Sequence, residues 1–240
     1  MAWSRIGGWL GRKTSVESTA EVVLYTTDDP LASLPLDLSI ETMGGWCTVL
    51  IPRGTPLPCA QRETFSTAED SQTAIDVHLF QGVRPRARNQ RPIVVARLCD
   101  IPSAPRAVPR LGLAFAVDAG GVLTLRAAGA RLEIREEAPL DARAMREILA
   151  DARAAQEEDD LSRAWLAALI ELQNLVYTEC TGIRTDRAPA EIGAAYERAF
   201  LRAEAVLAAL DPGEPADPGP LRASVTALRA AIDALPMDHR

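Results

Sequence analysis

Arg131-Leu132-Glu133-Ile134-Arg135-Glu136-Glu137-Ala138-Pro139-Leu140-Asp141-Ala142-Arg143-Ala144-Met145-Arg146-Glu147-Ile148-Leu149 contains the point at which the apolar period of this sequence changes. Before Pro139, Leu132 and Ile134 alternate with charged residues, the two-residue period of a strand that buries one face. After it, Asp141 stands where a helix N-cap accepts backbone N–H groups, and Met145, Ile148, Leu149 and Ala152 recur at helical spacing. The sequence reads as strands first and helices second.

Upstream, the two-residue period holds from about residue 36. Ile75, Val77 and Leu79 alternate with Asp76 and His78, while Leu111, Leu113, Phe115 and Val117 alternate with small residues, and Leu123 and Leu125 follow. Gly44-Gly45, Arg53-Gly54-Thr55-Pro56, Ala119-Gly120-Gly121 and Ala128-Gly129-Ala130 are the turn signals between them. Short strands with hairpin-like connections predict an antiparallel β-sandwich over residues 31–138, preceded by a flexible tail at residues 1–30. Downstream, Leu161, Trp165, Ala168, Leu169, Leu172, Leu175 and Val176 extend the helical stripe to about Cys180. One helix or two abutting helices of about 40 residues, ~60 Å long, are predicted, with Gly182 as the stop. Pro189 opens a helix carrying Ile192, Tyr196, Phe200, Val206 and Leu207, and a last one follows Pro220 with Leu221, Val225, Leu228, Ile232 and Leu235. The fold class is α+β: a sandwich, then an α-helical bundle over residues 139–240.

Composition narrows the function. With 48% hydrophobic and 25% charged residues the chain has the make-up of a globular domain rather than of a disordered or membrane-embedded one, and no run approaches the ~20 apolar residues of a membrane span. A net charge of −7 disfavours nucleic acid as a partner, because phosphate recognition needs a basic face. Cys47, Cys59, Cys99 and Cys180 are widely spaced and the histidines are only His78 and His239, so neither a metal nor an imidazole-based constellation is expected. Unpaired thiols imply a reducing compartment and a cytoplasmic location. At the start, Trp3, Ile6, Trp9 and Leu10 sit beside Arg5, Arg12 and Lys13, a composition that allows contact with an anionic membrane. Gly7, Gly8 and Gly11 disfavour a helix there, and the expected state is a frayed tail.

Catalytic motifs are missing from the text. There is no phosphate-binding glycine loop and no dinucleotide fingerprint, and Ser66 and His78 lack the elbow and third group of a hydrolytic triad. Glu157, Glu158, Asp159 and Asp160 read as a solvated helix face. No enzymatic chemistry and no cofactor are expected.

The distinctive text is a series of fragments. Ile40-Glu41-Thr42-Met43-Gly44-Gly45 is followed by Leu50-Ile51-Pro52-Arg53-Gly54-Thr55-Pro56-Leu57-Pro58 and by Thr64-Phe65-Ser66-Thr67-Ala68-Glu69-Asp70-Ser71-Gln72-Thr73-Ala74-Ile75. Gln81-Gly82 and Ile101-Pro102-Ser103-Ala104-Pro105-Arg106-Ala107-Val108-Pro109 complete it. In order and spacing these resemble the substrate-binding domain of DnaK-type seventy-kilodalton heat-shock chaperones, closely over about residues 35–126, with the helices similar in layout to that family's lid. The resemblance implies that the ligand is an extended, mostly apolar peptide, held by main-chain hydrogen bonds and by one apolar pocket for a leucine-like side chain. It implies a pocket at Ile40, Thr42, Phe65, Ile75, Val77 and Leu111, an arch over the bound backbone at Met43 and Ala68, and a further contact at Ser66. It also implies a lid latch in which Asp70 and Arg106 face Tyr177 and Gln173. Read without the resemblance, Phe65, Ile75, Val77 and Leu111 would be taken as sandwich core rather than as a pocket.

The family's ATPase domain has no counterpart in these residues, and Val22-Val23-Leu24-Tyr25 only faintly resembles its linker. The expected activity is ATP-independent capture of hydrophobic segments of unfolded proteins. The alternative is a regulatory or adaptor partner of another chaperone, a co-chaperone or a separately encoded ATPase domain.

Overall fold

The computed structural model describes residues 17–236 except residues 28, 43, 91, 186–187 and 212–213. The expectations for residues 1–13 and for Met43 lie outside the described residues.

Nine strands form two antiparallel sheets. They are β1 (Glu17–Val23), β2 (Asp37–Thr42), β3 (Trp46–Ile51), β4 (Cys59–Phe65), β5 (Ile75–Gly82), β6 (Pro92–Cys99), β7 (Leu111–Val117), β8 (Val122–Ala128) and β9 (Arg131–Glu137). One sheet has the order β1-β8-β7-β4 and the other β3-β2-β5-β6-β9. In β7 every second residue, Leu111, Leu113, Phe115 and Val117, is buried while Gly112, Ala114 and Ala116 are only half-covered, as alternation requires of a strand with one dry face. Those side chains share one core with Leu123 and Leu125 of β8 and, from the second sheet, Leu38, Val77, Leu79, Val94, Leu98 and Leu132. Each such fully buried side chain stabilises the fold by about 1.5–3 kcal/mol over its exposed state.

The sandwich begins earlier than residue 31. β1 pairs with β8 from Glu17↔Ala128 to Val23↔Val122, and the Leu24 amide donates to the Gly121 carbonyl at 2.9 Å. Val22, Leu24 and Tyr25 are at most 1% exposed, so from Glu17 the expected flexible tail is part of the first sheet and its core. Gly121 has φ +78°, and a Cβ there would meet the Tyr25 ring at 3.3 Å, so this close approach of the chain needs glycine. Within Glu17–Val23 only Ala20, Val22 and Val23 are apolar, too little alternation to mark a strand; β8 supplies the backbone partners that make it one.

The helices are α1 (Ala142–Ala154), α2 (Gln156–Asn174), α3 (Ala190–Ala208) and α4 (Gly219–Asp233), with a π-helical turn at Leu175–Glu179 continuing α2. The predicted long helix is thus two abutting ones, broken at Ala155. The Asp141 carboxylate caps α1 by accepting from the Ala144 amide at 2.7 Å, and Gly182 has φ +88° where the stop was expected. Trp165, Leu172, Leu175, Tyr196, Ala203, Leu221 and Leu228 form a second, separate core.

The chain divides into two compact units, and their limits differ from a simple cut at residue 139. The first comprises the sandwich with α1 as far as Leu149. Met145 packs against the sandwich core, which explains why α1 starts in that unit. The second comprises Ala150 onward together with two short segments from the first half of the chain, Thr42–Trp46 and Arg84–Arg86.

Candidate functional site

Strands β2, β4, β5 and β7 carry the residues implied for the peptide pocket. Ile40 of β2, Val77 of β5 and Leu111 of β7 are buried at 6%, 5% and 2% exposure, members of the sandwich core. Phe65 and Ile75, the last residue of β4 and the first of β5, are half-buried and pack against the same core. Phe65 is the Cα partner of Leu111 across the β4–β7 ladder. The set therefore sorts into three side chains that are core by any reading and two apolar ones, Phe65 and Ile75, left partly accessible at strand ends. Thr42 is exposed and its hydroxyl donates to the Trp46 carbonyl at 3.1 Å.

The loop from β4 to β5 is held by its own polar groups. The Ser66 hydroxyl donates to the Pro109 carbonyl at 2.6 Å, and the Gln72 side-chain oxygen accepts from the Ala68 amide at 2.9 Å and from Glu69 at 3.3 Å. Ala68 itself is exposed. Asp70 and Arg106 are brought together, but through the backbone: the Asp70 carboxylate accepts from the Arg106 amide at 2.8 Å. The Arg106 amide is thereby used, while its side chain stays exposed. In the helical unit, Gln173 of α2 and Tyr177 of the π turn are both exposed, Tyr177 at 64%.

The acidic run of α2 departs from expectation. Glu157, Glu158 and Asp160 are exposed, but Asp159 is 2% exposed. The Arg84 guanidinium donates to both Asp159 carboxylate oxygens, from Nε at 3.1 Å to each and from Nη2 to Oδ1 at 3.0 Å, and to Glu158 at 3.2 Å. Hydrogen bonding to Asp159 raises the Arg84 pKa, with burial opposing it. This one residue of the run is a buried anchor and not solvated face. No spacing in the sequence signals it, because Arg84 lies 75 residues upstream.

A concavity of about 530 Å³ lies elsewhere, lined by Asp76, His78, Pro92, Val95, Arg97, Arg135 and Glu136. It uses the face of β5 opposite to Val77 and Leu79, and its lining carries the Arg97–Asp76 ion pair at 3.2 Å, with the His78 ring 3.0 Å from Glu41 alongside. Such a polar, open hollow is unsuited to a leucine side chain. Ser66 and His78 are engaged with separate partners, Pro109 and Glu41. No disulfide joins the four cysteines, and burial pushes the Cys59 and Cys180 thiols above their ordinary value. Among the described residues no helix is long and apolar enough to cross a membrane.

Residues 25–209 match the family described as Hsp70 protein, a span that takes in the sandwich from Tyr25 and the helices through α3. The chain belongs to the Hsp70 protein family, whose members are chaperones.

Proposed function

We propose that this chain captures extended hydrophobic segments of unfolded proteins without using ATP. The observation that carries the reading is the pair of half-buried apolar side chains, Phe65 and Ile75, set against the buried Ile40, Val77 and Leu111 within a family of peptide-binding chaperones. An extended segment laid across these strand ends would insert one branched aliphatic side chain between them and satisfy its backbone on the polar loops that carry Thr42, Ser66 and Ala68. Burying a leucine side chain in such a pocket supplies about 1.5–3 kcal/mol, with main-chain hydrogen bonds adding sequence-tolerant affinity.

Independence from ATP is supported by the fate of residues 22–25, the stretch that faintly resembles the family's linker to its ATPase domain. Val22, Leu24 and Tyr25 are buried in the sandwich, the Leu24 and Tyr25 amides both donate to the Gly121 carbonyl, and the Leu24 carbonyl accepts from the Leu140 amide at 2.8 Å. A segment committed in this way is not free to dock on another domain.

A fluorescein-labelled, leucine-rich extended peptide titrated by fluorescence anisotropy tests the reading. Saturable binding that is unchanged by magnesium-ATP is expected. Absence of binding overturns peptide capture, and nucleotide-dependent binding overturns ATP independence. The adaptor reading is separated by adding the chain to a complete DnaK-type chaperone, whose ATPase rate it would have to change.

A further inference from the structure

Residues 1–16 lie outside the described residues, but Glu17, where they join the sandwich, has a defined place. Glu17 is the Cα partner of Ala128, Ala128 of Gly112, and Gly112 of Thr64. The first residue of β1, the last of β8 and the residues beside the Phe65↔Leu111 pair thus form one row across the first sheet. In the second sheet Ile75 pairs with Leu98 and Leu98 with Leu132, and β9 is reached from β8 through Gly129 and Ala130. Phe65 and Ile75, the two half-buried apolar side chains, therefore stand at the end of the sandwich where the chain before Glu17 emerges. Three strand spacings of ~4.8 Å separate Glu17 from Thr64, ~14 Å in all, whereas an extended chain covers ~3.3 Å per residue. From Leu10 to Glu17 that reach is up to ~23 Å, enough to cross the row.

The residues within reach have the chemistry of the ligand inferred for this site. Arg5-Ile6-Gly7-Gly8-Trp9-Leu10-Gly11-Arg12-Lys13 sets apolar side chains between glycines, whose missing side chains let a backbone pass close to the polar loops. Charge at this end is mixed: Glu69 and Asp70 are exposed there, and so are Arg106 and Arg110. Reach and apolar content, rather than ion pairing, select the segment. We propose that residues 5–13 dock in the peptide site of their own chain, with Leu10 in the apolar pocket beside Phe65 and Ile75, as a tethered competitor that an incoming peptide must displace. The inference rests on the peptide-capture reading. Tethering raises the local concentration into the millimolar range, so an intrinsic affinity of only ~0.1 mM keeps the site about nine-tenths occupied and weakens binding of an outside peptide about tenfold.

The test titrates the fluorescein-labelled, leucine-rich peptide with the parent chain and with a double variant, Trp9→Ser with Leu10→Ser, after circular dichroism has shown the same fold for both. The variant should bind the label about tenfold more tightly, and a synthetic peptide copying residues 4–14 should displace the label from it. Equal affinity of parent and variant refutes the tethered competitor and leaves peptide capture standing. Failure of the synthetic copy to displace the label refutes it as well. A variant that binds no labelled peptide refutes peptide capture itself. Light scattering at low and high micromolar concentration distinguishes a second copy as the host: a parent chain that associates where the variant stays monomeric overturns docking within one chain.

Discussion

Replacing Asp159 by asparagine keeps its shape and removes its charge, leaving Arg84 without its principal acceptor. Arg84 has a side chain only 16% exposed and would retain Glu158, whose side chain is 62% exposed. Removing one partner of a fully buried ion pair costs about 3–5 kcal/mol, and the residual exposure and remaining carboxylate reduce this to about 2–3 kcal/mol. Urea denaturation followed by circular dichroism at 222 nm should show the midpoint of the helical transition falling by about 1–2 M. Burial shields the pair, so the loss should persist in 1 M salt. Asp160→Asn is the matched control: its carboxylate contacts Gln156 at 2.9 Å and Arg163 at 3.0 Å with 62% of the side chain exposed, and its loss should stay within about 0.5 kcal/mol. Replacing Arg84 and Asp159 together by leucine should recover much of the loss, because the stranded charge is gone. If Asp159→Asn is as mild as Asp160→Asn, or if salt abolishes the difference, Asp159 is an ordinary member of a solvated acidic face and the anchor does not exist.

Three further expectations concern the proposed site and the thiols. Ile75→Phe adds volume at a half-buried strand end, so it should abolish binding of the leucine-rich peptide at a stability cost of about 1–3 kcal/mol, whereas Asp76→Asn on the opposite face should bind as the parent does; an Ile75→Phe chain that binds normally removes the pocket assignment. If Gln173 faces Arg106 when peptide is bound, Gln173→Glu should slow peptide release at low salt and lose the gain at high salt, and an unchanged release rate at low salt rejects that latch. Because burial raises the Cys59 and Cys180 thiols, less thiolate is present at pH 8 than for an ordinary cysteine; alkylation by iodoacetamide should be slow at both in the folded chain, keep accelerating above pH 9, and become fast on denaturation, and rapid labelling of native Cys180 at pH 8 contradicts its burial.

Much of this molecule was legible in the chain because its information is local. The strict alternation around Phe115, the cap at Asp141, the stop at Gly182 and the helix openings beside Pro189 and Pro220 each follow from side-chain period or backbone conformation within a few residues, and the structure bears all of them out. The series of fragments carried the family resemblance, since several of them in order and at matching spacing are far more specific than the propensity of any one element. What depended on partners far along the chain was not legible. Glu17–Val23 is a strand only because β8 offers its edge, Asp159 is buried only because Arg84 reaches it from 75 residues upstream, and Trp46, the first residue of β3, belongs to the helical core. Burial of a charge or an aromatic ring is set by the three-dimensional packing around it, and a one-dimensional pattern records the residue's own preference but not which distant group will meet it.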